Sequence, residues 1–230
     1  MKTKNCNSSK HTAQGLTIIE VIIVIVVCFV GLVVFVAVMF PPMTGSRVRA
    51  GRINCVSNLK QVGLALRMWS NDNGEKFPWQ VSISQTGTME FAESPEVFRH
   101  FAILSNELSS PKVLFCNSDA KKSKVATWSE FDNGHLSYFV GLEANEALPQ
   151  TILSGDRNLT TNGTPGWGVV RFVSNTTSGF GPDLHKHVGN IGLGDGSAMQ
   201  VTDKGLRQQI QSALQTTNVA ALRFSIPKPN

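Results

Sequence analysis

The sequence predicts an α+β protein, with a long apolar helix near the N-terminus, then an amphipathic helix, then a small antiparallel-sheet domain. Three observations support this fold class. Residues 21–40 form an uncharged apolar run, residues 55–69 carry an apolar stripe at helical spacing, and short strand-like segments separated by turn residues follow. We divide the 230 residues into a leader (1–15), a transmembrane helix (16–40), an amphipathic stalk helix (41–74) and an α+β head domain (75–230).

The apolar run is long enough to cross a bilayer. Residues 21–40 contain no charged side chain, and only Gly31 interrupts their apolar character. Twenty residues at about 1.5 Å each span roughly 30 Å, the thickness of the hydrocarbon core. Val and Ile favour strands in water, but an isolated strand in lipid leaves its backbone groups without hydrogen bonds. We therefore predict a transmembrane helix.

The charge balance gives no support for nucleic-acid binding. The formal net charge is +5, but Lys2, Lys4 and Lys10 all precede Gly15 in a stretch without acidic residues. Removing them from the 21 basic residues leaves 18 against 16 acidic residues, a net charge of +2. This excess is too small to indicate a nucleic-acid partner.

A carboxylate lies at the start of the apolar run. Glu20 is the only charged residue between residues 11 and 46. Placing an ionised carboxylate in a bilayer costs about 2.5–3.5 kcal/mol on insertion scales, so the residue is expected to have a partner. An alternative to a functional role is a plain signal anchor with an incidental glutamate.

Residues 14–21, Gln-Gly-Leu-Thr-Ile-Ile-Glu-Val, resemble the signal of type IV prepilins and type II secretion pseudopilins. That signal has a glycine, a hydrophobic residue, Thr-Leu-Ile-Glu or a close variant, and then an apolar helix. The resemblance implies that a prepilin peptidase cuts between Gly15 and Leu16 and methylates the new amino group. It also implies that Glu20 pairs with the N-terminal amine of a neighbouring subunit. Leu16 replaces the commoner Phe, and Ile18 the commoner Leu.

Charge does not decide the orientation of the helix. Three lysines precede it, and Arg47, Arg49 and Arg52 follow it closely. The resemblance implies a single-pass inner-membrane protein with a periplasmic C-terminal domain, which enters a periplasmic or cell-surface filament after assembly. The implied partners are other pilin-like subunits, the prepilin peptidase and the inner-membrane assembly platform.

The stalk helix is predicted from its apolar stripe. Pro41, Pro42 and Gly45 are expected to break or kink the preceding helix, and Thr44 or Ser46 to cap its continuation. Asn71 to Gly74 end it. The stripe comprises Cys55, Leu59, Val62, Leu66 and Trp69.

The head domain is predicted to contain short helices and strands. Asp195-Gly196 predicts a hairpin turn with positive φ at both positions, and Asp203 is expected to cap the last helix, which carries Leu206, Ile210 and Leu214. The other predicted elements are a short helix opened by Ser94-Pro95-Glu96 and carrying Val97, Phe98, Phe101, Leu104 and Leu108, strands at 112–116, 136–142 and 166–174, a loop at 153–165, and the hairpin strands 190–194 and 197–202.

Two cysteines belong to the predicted soluble part. Cys55 and Cys116 either pair in an oxidising compartment, closing a loop of about sixty residues and contributing about 4 kcal/mol, or remain buried thiols. Cys6 lies in the leader and Cys28 in the transmembrane run.

Further segments resemble one large prepilin-like family, abundant in planctomycetes, verrucomicrobia and their relatives. Residues 55–66, 71–74 and Phe77-Pro78 resemble its stalk-to-head junction, and residues 115–119 resemble its Cys-Pro-Ser-Asp, with Asn117 in place of Pro. His185, nine residues and then Asp195-Gly196 match its C-terminal H-X9-DG processing-associated motif. The resemblance covers about half of the chain.

The same region offers candidate metal ligands. His185 and His187, with Asp183 and Asp195, are the best metal or catalytic candidates, because an H-x-H pair in a strand places both imidazoles on one face. The competing interpretation is structural, with Asp195 forming the turn and His185 hydrogen-bonding across the hairpin. The pseudopilin resemblance also raises calcium, for which the candidate ligands are Asp156, Asp183, Asp195 and Asp203.

The sequence therefore favours a non-enzymatic structural subunit, a pseudopilin or minor pilin, without a confidently assigned metal or cofactor. No P-loop, G-x-G-x-x-G or G-x-S-x-G motif occurs in the chain. Two alternatives remain open, a membrane-tethered module that binds a polysaccharide and a tethered zinc hydrolase. The polysaccharide alternative rests on the four tryptophans Trp69, Trp79, Trp128 and Trp167.

Overall fold

The computed structural model describes residues 17–39 and 44–228, with side chains in the second range described from residue 50 onward. The chain divides into two compact units between Gly45 and Ser46. The leader and the proposed cleavage site at Gly15 and Leu16 lie outside the described residues, as does the break predicted at Pro41-Pro42.

The first unit contains one long helix, α1, which runs from Ile18 to Met39. It is long and apolar enough to cross a membrane, a conclusion that rests on length and composition. None of its side chains is buried. Such a helix is stable in lipid because its backbone hydrogen bonds are satisfied within the segment.

The stalk helix α2, Thr44–Asp72, belongs to the second unit apart from its first two residues. Gly45 lies within this helix, so the prediction that it interrupts the helix is wrong. The predicted apolar stripe is buried against the rest of the unit, with Cys55, Leu59 and Leu66 fully inaccessible. After α2, Gly74 has a φ of 70°, a conformation that glycine adopts without steric cost.

The rest of the second unit contains two antiparallel sheets, two α-helices and several 3-10 turns. The larger has the strand order β5-β9-β1-β2-β7-β8 and the smaller β4-β3-β6. The strands are β1 Tyr138–Gly141, β2 Ile152–Asp156, β3 Leu159–Thr161, β4 Thr164–Pro165, β5 Gly168–Phe172, β6 Ser178–Phe180, β7 Val188–Leu193, β8 Ala198–Thr202 and β9 Leu222–Ile226. The helices after α2 are α3 Arg99–Ala102 and α4 Asp203–Thr217. The predicted α+β class, with a long apolar helix followed by an antiparallel-sheet domain, is confirmed.

The large sheet separates two apolar cores. Tyr138 and Val140 of β1 join the core that contains the α2 stripe. Phe139, between them, joins the core that contains Leu206 and Ile210 of α4. This division follows from the period of a strand, in which successive side chains point to opposite faces. The sheet is therefore covered by α2 on one face and by α4 on the other.

Three predictions for the head domain are wrong in kind or in extent. The strand predicted at 112–116 is instead a 3-10 turn at Pro111–Leu114, because Pro111 begins it and Ser110 Oγ accepts a hydrogen bond from Lys112 N. The loop predicted at 153–165 contains most of β2 and all of β3. Small residues suit these strands, since a Cβ at Gly155 would lie 2.7 Å from Asn190 O and from the Phe139 ring. The helix predicted from residue 94 is also shorter, because α3 begins at Arg99.

The predicted hairpin is present, but its turn differs from the prediction. Strands β7 and β8 are joined by residues 194–197, and Gly196 has a φ of 81°, whereas Asp195 does not have a positive φ. This is a four-residue connection with one left-handed position. Helix α4 is capped by Thr202, whose Oγ1 accepts from Gly205 N at 3.3 Å, and not by Asp203.

Candidate functional site at the stalk and head junction

A disulfide ties the stalk helix to the head. Cys55 of α2 and Cys116 are bonded, with their Cα atoms 5.6 Å apart, and both are fully buried. Asn58, one turn further along α2, donates from Nδ2 to the carbonyl of Phe115 at 3.3 Å. The covalent bond and the hydrogen bond together fix one face of α2 against the segment that follows the 3-10 turn.

The motif histidine lies against this disulfide. His185 is 1% exposed, and its Nε2 lies 3.5 Å from Cys116 Sγ and 3.5 Å from Asp156 Oδ2. Lys186 and His187, which follow it, have φ values of 56° and 62°. These left-handed conformations turn the chain before β7, so the expectation that His185 bonds across the β7–β8 hairpin is wrong.

Burial shifts the pKa values of His185 and Asp156 in the directions that favour their neutral forms. Burial lowers the pKa of His185 to about 4, with a further lowering from the positive charge of Arg52. Burial raises the pKa of Asp156 to about 7, against the effect of hydrogen bonds donated by Asn190 N and Nδ2 at 2.8 and 2.9 Å. Burial thus favours the uncharged form of the imidazole.

The second half of the motif also contacts α2. A Cβ added to Gly63 would lie 3.0 Å from both the Cα and the carbonyl oxygen of Gly196. Arg67 donates from Nη1 to the carbonyl of Asp195 at 2.8 Å and forms a 3.0 Å ion pair with Glu146. The turn therefore lies directly on the backbone of the helix, at a position where only glycine fits without displacement.

The two ends of the H-X9-DG motif thus meet one helix at two places. His185 contacts the disulfide of Cys55, and Gly196 contacts Gly63, eight residues or about 12 Å further along α2. Two separated contacts define the axial position of a helix as well as its distance from the sheet. The arrangement acts mechanically, as a clamp between the stalk and the head.

The four residues predicted as metal ligands do not come together. Asp183 pairs with Lys121 at 2.7 Å, His187 Nδ1 lies 3.1 Å from the carbonyl of Phe180, and Asp195 Oδ1 accepts from Ser197 N at 2.8 Å. Each of these three residues therefore has a partner of its own, and none of these partners is His185.

One compact group of potential metal ligands occurs within residues 17–39 and 44–228, and it comprises Cys55, Cys116 and His185. Both sulfur atoms belong to the disulfide, which leaves one imidazole. The candidate calcium ligands are equally dispersed, since Asp156 accepts from Asn190 and Asp203 accepts from Phe180 N at 2.9 Å.

The four tryptophans do not form a common platform. Trp69 and Trp79 are buried, and Trp128 packs edge-on against Phe131 with ring centroids 5.5 Å apart. Trp167 differs from these three, because 59% of it is exposed. The prediction of a sugar-binding platform formed by all four tryptophan rings is therefore wrong.

Glu20 lies in the first turn of α1. Its Oε2 accepts hydrogen bonds from Thr17 N at 2.8 Å and from Thr17 Oγ1 at 3.0 Å, and Thr17 Oγ1 lies 3.4 Å from Glu20 N. This reciprocal pattern is a capping box, which satisfies backbone donors at the start of a helix. Sequence reasoning identified Glu20 but missed the T-x-x-E spacing that signals the box.

Comparison with known proteins gave no match to a family model, a curated protein or a solved structure. Sequence reasoning did not single out Gly63, and it named Asp156 only as a candidate calcium ligand and not as a neighbour of His185. The available signal for Gly63 was a helix-weakening residue inside an otherwise regular amphipathic helix. No short-range pattern marks Asp156.

Proposed function

We propose that the chain is a pilin-like structural subunit, a pseudopilin or minor pilin, and not an enzyme. The observation that carries the proposal is the α1 helix, which is apolar over its length and starts with a carboxylate at its third position. An exposed apolar helix of this kind needs either lipid or other helices around it. Insertion in a bilayer followed by packing among like helices in a filament supplies both environments.

Glu20 has a defined role in this proposal. Its Oε2 is held by Thr17, while Oε1 accepts no hydrogen bond from the described residues. A neighbouring subunit that has been cut after Gly15 brings the amine of Leu16 to this free oxygen. The resulting ion pair removes the cost of about 2.5–3.5 kcal/mol of leaving a carboxylate unpaired in an apolar environment.

The clamp between α2 and the head supports the same function. In a filament subunit the stalk carries the head, so the two must be firmly attached to each other. The disulfide at Cys55 and the close approach at Gly63 fix α2 on the sheet. In the proposed assembly the domain is periplasmic, and the partners are like subunits, the prepilin peptidase and the inner-membrane platform.

Processing is tested by the intact mass and N-terminal sequence of the protein isolated from its native membrane. We expect a chain that starts at N-methylated Leu16. A chain that retains Met1, or is cut elsewhere, would contradict pilin-type processing and leave a signal-anchored domain.

Assembly is tested by Glu20→Ala, with Thr17→Ala as the matched control. Both substitutions remove the capping hydrogen bonds between the two side chains, but only Glu20→Ala removes the carboxylate. We expect Glu20→Ala to insert into the membrane but not to be incorporated into filaments. We expect Thr17→Ala to retain most of the wild-type incorporation into filaments. Equal incorporation of Glu20→Ala and wild type would contradict the role of Glu20.

A further inference from the structure

The exposed Trp167 borders a cavity of about 430 Å³ beside the small sheet. Single exposed apolar side chains are ordinary on protein surfaces. Trp167 is different because its ring lines a concave site together with Leu159, Pro165 and Pro182. Concave sites that combine a few apolar walls with convergent polar groups are where small ligands bind.

Polar groups lie on the other walls of this cavity. Lys121 and Asp183 line it and form an ion pair at 2.7 Å, so both a donor and an acceptor are available there. Asn158 also lines it, is 6% exposed, and donates from Nδ2 to the carbonyl of Gly181 at 2.8 Å. Its Oδ1 is buried and has no donor among the described residues. A ligand rich in hydroxyl groups would supply the donor that this oxygen lacks.

The walls are held in place before any ligand arrives. Arg157, which lines the cavity, is 3% exposed and donates from Nε to Asp119 Oδ2 at 2.7 Å. Gly166 N donates to the carbonyl of Leu159 at 2.9 Å, which fixes the segment that carries Trp167. A site formed in advance loses less conformational entropy on binding.

The charges around the cavity favour an anion. Lys121 and Arg157 line it, and Lys228 Nζ lies 5.5 Å from the centroid of the Trp167 ring. The facing carboxylates are Asp183, on the wall, and Asp119, which is paired with Arg157. Among the described residues that line or border the cavity, these three cations against two carboxylates leave one excess positive charge next to a flat aromatic surface.

We propose that this cavity binds a sugar unit that carries a carboxylate, such as a uronate residue of an acidic polysaccharide. The apolar C–H face of a pyranose ring packs on an aromatic face, and its hydroxyl groups hydrogen-bond to Asn158 and Asp183. Its carboxylate is attracted by Lys121 and Lys228. The proposal goes beyond assembly of a filament, because it gives the head a ligand on a surface that is distinct from the clamp.

The larger cavity of the head, about 580 Å³, is a weaker candidate. Its carboxylates Glu93 and Glu143 already accept from Arg223 at 2.7 and 2.6 Å. Trp79, its aromatic wall, is 3% exposed and offers no open ring face.

The test is calorimetric titration of the full chain, in a neutral detergent, with oligogalacturonate and with a neutral hexose oligomer of equal length. We expect saturable binding of the acidic oligomer and binding weaker by about tenfold or more for Trp167→Ala. Trp167→Phe is expected to bind with intermediate affinity. Trp128→Phe is the matched control, because Trp128 does not line the cavity, and it is expected to bind as the wild type does.

Each other outcome overturns part or all of the proposal. Absence of saturable binding to either oligomer overturns it, as does unchanged affinity in Trp167→Ala with an unchanged thermal midpoint. Equal affinity for the neutral oligomer overturns the assignment of a carboxylate. Loss of filament incorporation in Trp167→Ala, without saccharide binding by the wild type, would assign Trp167 to a subunit interface. These results do not depend on whether the chain is cut after Gly15.

Discussion

Removing the disulfide between the stalk and the head has an effect that can be worked out from its position in the chain. Cys55 and Cys116 are separated by 61 residues. In the chain-entropy treatment, a loop of that length stabilises the folded state by about 4 kcal/mol at 25 °C. Single domains are stable by only about 5–15 kcal/mol, so the double variant Cys55→Ser/Cys116→Ser is expected to lose a large share of the stability.

The assay is urea unfolding of the full chain in detergent, followed by tryptophan fluorescence. The four tryptophans are all in the second unit, so the signal reports on the stalk and head. With a slope of roughly 2 kcal/mol per molar urea, the midpoint is expected to fall by about 2 M. Cys28→Ser is the matched control, because Cys28 is a free cysteine exposed on α1, and its midpoint is expected to equal that of the wild type.

Two results would refute this reasoning. A double variant with the midpoint of Cys28→Ser would show that the bond contributes nothing to the clamp. Wild-type protein that reacts with a thiol reagent at three cysteines after denaturation, once the leader and Cys6 have been removed, would show that the pair is not formed.

The clamp gives two further predictions. Gly63→Leu is expected to lower the free energy of unfolding by about 2–3 kcal/mol, because the new side chain meets the backbone of Gly196. The control Gln61→Leu, at an exposed position of the same helix, is expected to change it by less than about 0.5 kcal/mol. Equal urea midpoints for the two variants would contradict the close approach of Gly63 and Gly196. The pKa of Asp156 in the folded protein is about 7, above its ordinary value of 3.8, so the contribution of Asp156 to stability is lost as pH rises from about 4 to 7. The pKa of His185 in the folded protein is about 4, below its ordinary value of 6.5, so the contribution of His185 is lost as pH falls from about 6.5 to 4. As pH rises from 4.5 to 6.5, Asp156→Asn should therefore gain stability relative to wild type, and His185→Gln should lose it. Each change should amount to at most about 1.4 kcal/mol per pH unit. Urea midpoints that change with pH in the reverse directions would disprove the shifted pKa values of the two residues.

The elements that the sequence predicted well are those with a long or repeated pattern. Helix α1 follows from an apolar run of bilayer length, and the buried face of α2 follows from a stripe that recurs every three or four residues. The β7–β8 hairpin follows from Asp195-Gly196 between two strand-like segments. In each case the information lies within a short window of the chain.

The elements that were missed depend on distant partners. Residues 153–165 carry turn-forming residues, yet β2 pairs with β1 and β7 because Gly155 leaves room for the Phe139 ring and Asn190. Similarly, the apolar residues at 112–116 suggested a strand, but Pro111 starts a 3-10 turn there. Propensity is a weak guide where a neighbouring chain decides the conformation.

The candidate site also depends on residues that are distant in sequence. Sequence alone placed His185 and Asp195 in a motif, but it grouped them with Asp183 and His187, which are close in the chain and engaged elsewhere. The actual neighbours of His185 are Cys116 and Asp156, which are 69 and 29 residues away in sequence. Proximity along a strand and its flanking loops does not reveal which elements are packed against it.

The spacing between His185 and Asp195-Gly196 has a structural consequence in this fold. His185 precedes β7 and Gly196 follows it, and the strand between them, Val188–Leu193, is paired with β2 and β8 on either side. Because that register is fixed by pairing on both sides, an added or deleted residue between His185 and Gly196 would displace one end of the motif from α2. An added or deleted residue within β7 itself would instead turn the side chains beyond it to the opposite face. The nine residues are therefore the length of chain that lets one strand hold the stalk helix at two places, at the disulfide and at Gly63.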